Sequence, residues 1–294
     1  MSTYERIANV EQAFRNSGDG KYRLETRRIG IPGENTDIEV VACTRIDGFS
    51  GYFSPESVAK ERIVLHYTVG NLRSDIYSLT DPARGKVSVA YVVARDGTIY
   101  QLFDPACWSY HLGKGALGGN EAESRKTIGI ELSNYGGLTL QGNQLMTAYS
   151  SATHPDPYCD LTQQTLYQQV SYRGAQYFAT FTDAQYNSLS QLLRFLTAAF
   201  LIPRDFLPES IRYTQTDKVL THRGIVSHVN YRSDKFDIGP AFAWDRVITA
   251  AQAAPTLPDA SSAAFSTRGG LSIVEEPHDD ELEEQPVSKP LFAI

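Results

Sequence analysis

Three residues of the sequence have the side chains of a catalytic zinc site and stand beside apolar segments. His66 closes the apolar run RIVLH, His222 follows the short run VLT, and Asp237 lies further along the chain. Two imidazoles and one carboxylate leave a fourth zinc position open to water, whereas structural zinc sites use four protein ligands. We therefore interpret these residues as candidate zinc ligands. Histidines at strand ends are more often structural than metal-binding, so spacing alone does not decide.

Two charged residues near these candidates match the other needs of amide hydrolysis. Zinc lowers the pKa of water toward about 7 and polarises a carbonyl group. Cleavage of an amide also requires a group that moves protons and a group that stabilises the oxyanion. Glu131, in the run TIGIEL, is a candidate for the first role, and Lys235, two residues before Asp237, is a candidate for the second.

Short apolar runs predict the strands that position these residues. The runs at 62–67, 87–94 and 127–132 have the length and composition of buried strands. Asp96-Gly97 predicts a hairpin turn that returns through a strand at 98–103. The candidate residues therefore lie on or beside a sheet.

Helices are predicted on either side of these strands in the chain. Thr182 and Gln185 have the spacing of a capping box ahead of a segment with leucines on one face, and Pro203 ends that segment. Further helices are predicted over 4–15 and 242–253. The alternation of strands and helices is compatible with an α/β fold.

The sequence divides into a catalytic segment and several additions. We predict an N-terminal extension at 1–50, with a strand at 38–43, and a catalytic domain at 51–253. A polar, Tyr- and Gln-rich insertion with little periodicity covers about 136–175. Residues 254–294 are predicted to be a disordered acidic tail.

Composition and charge exclude several classes of function. The chain has 294 residues, 41% of them hydrophobic, which is enough for a sizeable core. Most of the net charge of −7 lies in the tail, so the body is near neutral and nucleic acid is not an expected partner. The three cysteines, an odd number without a CxxC motif, indicate neither a disulfide framework nor a cysteine zinc site. No apolar run is long enough to be a signal peptide core or a transmembrane segment.

Five motifs follow one another between residues 65 and 244. They are LHYT at 65–68, YVVARDGTIYQLF at 91–103, His111-Leu-Gly with Trp108 before it, TIGIEL at 127–132, and His222 followed by KFDIGPAFAW at 235–244. In this order they resemble the zinc amidase family that includes phage T7-type lysozyme, bacterial recycling amidases and peptidoglycan recognition proteins. No single motif is specific, but the ordered set is.

The resemblance implies a fold and a set of roles. The fold is a T7-lysozyme-like α/β amidase fold, in which a central mixed β-sheet is flanked by helices on both faces. The implied ligands of one Zn²⁺ per chain are His66, His222 and Asp237. Glu131 is implied as the residue that activates the attacking water, and Lys235 as the electrostatic stabiliser of the tetrahedral intermediate.

Four residues near the motifs are candidate substrate-binding residues. We expect Trp108 and His111 to line the groove and to contact the sugar or lactyl group. Tyr67 and Asn134 are expected to border the same site. The structural alternatives are a packed Trp with a surface His, and a turn role for Asn134.

The sequence departs from the family pattern at several places. Ile238 replaces the usual Pro after the ligand Asp. The segment 222–235 is longer than in compact members and contains His228 and Asp234, either of which is an alternative ligand. The family often has a Tyr or His just before the YVV strand, where residues 89–90 are Val and Ala, so catalytic assistance from that position is absent.

The resemblance implies hydrolysis of the amide between N-acetylmuramic acid and L-alanine, with peptidoglycan or a muropeptide as the bound partner. One alternative is a non-catalytic recognition module, and another is a cytoplasmic recycling enzyme for anhydro-muropeptides. Without a signal peptide the chain is expected to be made in the cytoplasm. It would act there, or reach the cell wall or periplasm by release or injection. The N-terminal extension and tail favour a lytic or delivered enzyme, such as an endolysin or an effector with a delivery machinery partner.

Overall fold

A mixed seven-stranded sheet forms the centre of the structure, a computed structural model that describes residues 3–252. Its strands are β1 (Tyr22–Gly30), β2 (Asp37–Arg45), β3 (Arg62–Tyr67), β4 (Tyr91–Val93), β5 (Ile99–Gln101), β6 (Thr127–Leu132) and β12 (Gly224–Ser227). They lie in the order β1-β2-β5-β4-β6-β3-β12. The pairs β4–β6, β6–β3 and β3–β12 are parallel. The pairs β4–β5 and β1–β2 are antiparallel.

The register of the parallel strands decides which side chains meet. His66 of β3 is paired with Glu131 of β6, so both side chains lie on the same face and at the same end of the sheet. Strand β12 pairs Ser227 with Leu65, and the next residue, His228, therefore comes level with His66. This end of the sheet collects the polar groups described below.

Helices flank the sheet. They are α1 (Thr3–Ser17), α2 (Leu72–Leu79), α3 (Asn120–Arg125), α4 (Asp183–Ala199), α5 (Glu209–Arg212), α6 (His228–Tyr231) and α7 (Trp244–Gln252). Helix α4 begins as predicted, since Thr182 and Gln185 form a capping box, and its buried leucines pack on the main hydrophobic core. The predicted α/β class with a central mixed sheet and flanking helices is confirmed. None of the helices between residues 3 and 252 is long and apolar enough to span a bilayer.

The predicted insertion forms a second sheet, which its weak periodicity did not indicate. Its five strands, in spatial order, are β10 (Tyr167–Tyr172), β11 (Ala175–Ala179), β7 (Gly137–Gln141), β8 (Gln144–Met146) and β9 (Pro157–Asp160). Only one side is apolar: Leu138, Leu145 and Tyr158 are buried and pack with Ile7 of α1. Short strands with a single buried face carry few apolar residues, so the composition remains polar.

The N-terminal segment belongs to the central sheet in the structure. Strand β1, which the sequence did not predict because YRLETRRIG is mostly polar, is largely exposed and pairs along its full length with β2. Strand β2, predicted at 38–43, continues the sheet through its parallel pairing with β5. The predicted tail at 254–294 lies outside the described residues.

Candidate metal centre and active site

Three polar side chains converge at the end of β3 and β12. Nδ1 of His66 lies 3.1 Å from Nδ1 of His228 and 3.1 Å from Oδ2 of Asp237. Nδ1 of His228 lies 2.9 Å from the same carboxylate oxygen. All three residues are buried and form a group able to hold a metal ion. Atoms bound tetrahedrally to zinc at the usual bond lengths are about 3.3 Å apart, so the triangle has close to the size that zinc requires.

Local sequence explains why His228 points into this group. Strand β12 ends at Ser227, whose backbone N–H donates to Oδ1 of Asn230 at 2.9 Å and starts the short helix α6. The amide of Asn230 in turn donates to the backbone oxygen of Arg212 at 2.9 Å. The chain is thereby turned at His228, directly after a buried strand that parallels β3.

The structure corrects the prediction that His222 is the second imidazole ligand. His222 lies before β12, and continuing the register of β12 with β3 places it level with Lys60, about 20 Å along the strand from His66 at ~3.3 Å per residue. Its ring instead packs against Gly224, where an added Cβ would meet Nε2 at 2.8 Å. His228, an alternative in the long segment 222–235, takes its place. Asp234 is exposed and pairs with Arg232.

The Nε2 atoms of His228 and His66 point away from the group, and each has a hydrogen-bond acceptor as its partner. Each Nε2 atom therefore carries a proton. Nε2 of His228 donates to the backbone oxygen of Leu112 at 2.9 Å. The hydroxyl of Thr127 donates to the backbone oxygen of Glu123 at 2.9 Å and accepts from Nε2 of His111 at 2.8 Å. Nδ1 of His111 is then an acceptor, and Nε2 of His66 donates to it at 3.0 Å.

This assignment makes the inner atoms acceptors that face one another. The two Nδ1 atoms each present a lone pair, and Asp237 presents a carboxylate oxygen. Burial lowers the pKa of His66 to about 4. Neutral imidazoles and an ionised carboxylate are the protonation states that bind a metal cation, so the donor set fits zinc.

Glu131 and Lys235 lie beside the three donors. Glu131 is 2% exposed and shares the face and level of His66 through the pairing of β6 with β3. Lys235 is 7% exposed. Burial is the largest cause of the low pKa of His66, the electrostatic interaction with His228 is the next, and the positive charge of Lys235 also contributes. A carboxylate and an ammonium group thus border the candidate metal centre, as a proton carrier and an oxyanion stabiliser require.

A cavity of about 180 Å³ opens beside Glu131. His111 lines it together with Asp75 of α2, Arg84 and Tyr149, the last of which comes from the inserted segment. Burial raises the pKa of Asp75 to about 8, although Oγ of Ser133 donates to it at 2.6 Å. Asp75, Arg84 and Tyr149 were not singled out from the sequence, because they belong to no motif and only the fold brings them to Glu131.

Two of the other candidate substrate-binding residues, Trp108 and Asn134, are engaged elsewhere. Nε1 of Trp108 donates to Glu56 at 3.2 Å, and Trp108 does not line the cavity beside Glu131. Asn134 is fully buried and uses its amide to hold the backbone of Ala179 and Gly136. Tyr67 is buried, and its hydroxyl has no hydrogen-bond partner among residues 3–252. Burial raises the pKa of this hydroxyl, and the negative charges of Asp237 and Glu131 also contribute, so Tyr67 lies near the candidate metal centre.

The sequence did contain a signal for His228. The segment GIVSH repeats the pattern of RIVLH, in which a short buried strand is followed or closed by a histidine. Two such strands, paired in parallel, bring their terminal histidines to the same end of the sheet. The run VLT before His222 lacks this property, since it belongs to a 3₁₀ turn at Asp217–Leu220 and its neighbours.

Fold and site together define an α/β protein with a candidate His-His-Asp metal centre at the ends of parallel strands. The model of the N-acetylmuramoyl-L-alanine amidase family matches residues 57–240, which is more than half of the chain. The chain therefore belongs to this amidase family. A comparison with curated protein sequences gives no match.

Solved structures, amidases among them, are similar to this chain at low identity. AmiD from E. coli, in complex with the substrate anhydro-N-acetylmuramic acid-L-Ala-D-γ-Glu-L-Lys, is 22% identical with a TM-score of 0.42. That match covers 70% of this chain and 62% of AmiD, so the chain spans less than two thirds of AmiD. LysC from Clostridium intestinale is 16% identical (TM-score 0.36; 65% and 83% covered). PlyL is 13% identical (TM-score 0.42; 72% and 97% covered).

Proposed function

We propose that this chain hydrolyses the amide between N-acetylmuramic acid and L-alanine of peptidoglycan at a zinc centre formed by His66, His228 and Asp237. The observation that carries the proposal is the buried triangle of acceptor atoms, each 2.9–3.1 Å from the next. Family membership supports the choice of bond. One Zn²⁺ per chain is expected.

The neighbouring residues have distinct tasks in this proposal. A zinc ion held by the three donors would lower the pKa of water and polarise the scissile carbonyl. The carboxylate of Glu131 takes a proton from the attacking water and returns it to the leaving nitrogen of L-alanine. The ammonium group of Lys235 offsets the negative charge that develops on the carbonyl oxygen. Burial of both side chains strengthens these electrostatic effects.

Substitution of Glu131 tests the enzymatic part of the proposal. Glu131→Gln keeps the size of the side chain but removes the proton acceptor, so release of stem peptides should fall by about 10²–10⁴-fold. Zinc content, measured by elemental analysis, should remain at one per chain. Glu39→Gln, the same change at an exposed position of β2, is the matched control.

The outcomes separate the candidate functions. Undiminished turnover by Glu131→Gln would refute the role of that residue. A wild-type protein that binds muropeptide without stoichiometric zinc and without cleavage would instead be a recognition module. Digestion of intact sacculi beside soluble anhydro-muropeptide, with products identified by mass, distinguishes a lytic or delivered enzyme from a recycling enzyme.

A further inference from the structure

The inserted sheet touches the loop that carries two of the site residues. Strands β10 and β11 form a hairpin in which Tyr172 pairs with Ala175, so that Arg173 and Gly174 make its two-residue turn. The loop between α6 and α7 carries Lys235 and Asp237. The tip of this hairpin lies against that loop.

Tyr172 makes three contacts at and around this loop. Its ring packs edge-on against Phe236, the residue between Lys235 and Asp237, with 6.2 Å between ring centroids. A Cβ added at Gly239 would come within 2.6 Å of the same ring, so this glycine allows a close approach. The hydroxyl of Tyr172 donates to the backbone oxygen of Tyr213 at 3.0 Å and fixes the ring in place.

Arg173 adds a second contact and adopts a backbone conformation that is unfavourable for its residue type. Its φ is +51°, and Gly174 follows with φ +85°. Positive φ at both central residues is the pattern of a type I′ turn, which favours Asn-Gly over Arg-Gly. The guanidinium group donates to the backbone oxygen of Ser233, at the start of the loop. The side chain thus has a partner that an optimal turn residue would not reach.

We propose that the hairpin tip, Tyr172 and Arg173, positions the loop so that Asp237 and Lys235 meet the candidate metal centre correctly. This inference rests on the proposed zinc site. On the side of α6, the backbone oxygen of Asp237 accepts a hydrogen bond from the N–H of Val229 at 2.8 Å. The hairpin supports the loop from the other side. Tyr172 and Arg173 are therefore positioning residues that act through Phe236, Ser233 and Gly239.

Zinc affinity, measured by competition with a chelator, is the test. Groups that orient metal ligands typically contribute 10- to 100-fold to metal affinity, so Tyr172→Ala should weaken zinc binding by about 10-fold. The absorption spectrum of the Co²⁺-substituted protein should change as well, because one ligand becomes less constrained. At saturating zinc, kcat should fall more than KM rises, since Lys235 is on the same loop.

Tyr167→Ala is the matched control. Tyr167 lies on the same strand and donates its hydroxyl to a backbone oxygen, that of Leu161, at 2.9 Å. It packs on Tyr177, also within the inserted sheet. The Tyr167→Ala variant should therefore perturb this sheet as Tyr172→Ala does, yet leave zinc affinity and the Co²⁺ spectrum unchanged.

Arg173→Asn separates positioning from folding. Asn-Gly is the preferred sequence for this turn, so the variant should keep or raise the thermal unfolding midpoint. If the inference is correct, it should nevertheless bind zinc more weakly. A purely structural role predicts wild-type affinity.

A double-mutant cycle tests the close approach. Gly239→Ala places a methyl group against the Tyr172 ring and should weaken zinc binding, while the added Tyr172→Ala should cause little further loss because the clash is removed. Failure of the wild type to bind zinc would refute the proposed function. Zinc binding by the wild type, with unchanged affinity in Tyr172→Ala and Arg173→Asn, would refute only the positioning role.

Discussion

The two ends of strands β3 and β12 are both rich in buried polar groups, yet they are balanced in different ways. At the beginning of β3, the guanidinium of Arg62 donates to Glu123 at 2.8 Å and to the backbone oxygen of His222 at 3.1 Å. At the other end, His66, His228 and Asp237 bring acceptor atoms together. The group at the centre of the first end is the cation of Arg62, whereas the atoms at the centre of the other end are the acceptors of His66, His228 and Asp237.

This difference separates a candidate metal site from a structural cluster of polar groups. Each end has a buried or half-buried histidine at the margin of a strand, so a histidine at that position is not informative by itself. Acceptors around Arg62 are neutralised by its donors, which a buried charge requires. The acceptor atoms of His66, His228 and Asp237 instead surround a position that a metal ion could occupy, with Lys235 at the border of the group. We therefore expect zinc at one end and none at the other.

Substituting the two histidines one at a time tests this comparison, and it has the largest expected effect. His228→Gln removes a candidate metal ligand, so zinc should be lost. Turnover should then fall by about 10³-fold, since Lewis-acid catalysis contributes several kcal/mol. Bound zinc should raise the thermal unfolding midpoint of the wild type but not of this variant. Elemental analysis, activity assays and thermal unfolding with and without zinc provide the measurements.

His222→Gln is the control for that experiment. It makes the same change at the opposite end of β12 and should retain one zinc per chain, wild-type turnover and the zinc-dependent rise in the unfolding midpoint. Loss of zinc in His222→Gln with retention in His228→Gln would reverse the assignment and restore the ligand set first inferred from the sequence.

Substitution of Arg62 should lower the free energy of unfolding without changing the zinc content. Arg62→Met leaves the carboxylate of Glu123, which is 4% exposed, without its main buried partner. Breaking a buried ion pair in this way costs about 3–5 kcal/mol. Urea unfolding should show this loss, and the folded variant should still bind one zinc.

Two further variants make that result specific. Arg62→Met combined with Glu123→Gln removes both charges and should recover much of the lost stability. Arg28→Met, on the exposed strand β1, should change the free energy of unfolding little because its side chain is 78% exposed. A folded Arg62→Met protein of normal stability that lacks zinc would mean that the two ends do not differ as described.

The central sheet and part of the site could be predicted from the sequence. The runs RIVLHY and TIGIEL form β3 and β6 over the predicted residues, and the capping box predicted the start of α4. His66 and Glu131 lie in those strands, where alternation fixes the face of each side chain. Lys235 and Asp237 follow in a motif, and the structure brings them to the same place.

What could not be predicted depends on pairing between distant segments. His222 and His228 are separated by a few residues, and only the register of β12 on β3 decides which reaches His66. The five inserted strands are short and polar, so their sheet is formed by pairing and by the contact with Ile7. His111 was expected to meet substrate, and its contact with Nε2 of His66 appears only in three dimensions.

Thr127 provides the smallest expected effect and links the two ends. Its hydroxyl accepts from His111, which in turn accepts from His66, while it donates to the backbone oxygen of Glu123, whose side chain binds Arg62. Thr127→Val preserves the shape of the side chain but removes the acceptor that fixes the proton of His111. Zinc affinity, again measured by chelator competition, should weaken by about 10-fold, at the lower limit for such partners.

Thr127→Ser retains a hydroxyl and should restore wild-type zinc affinity, which a loss of packing alone would not explain. In Thr127→Val, His111 can adopt either tautomer, and in one of them two N–H groups face each other between His111 and His66. Relief of that conflict would turn Nδ1 of His66 into a donor, which cannot bind zinc. Equal affinities of the Val and Ser variants would show that His111 keeps its proton position without Thr127, and the two ends would then be independent.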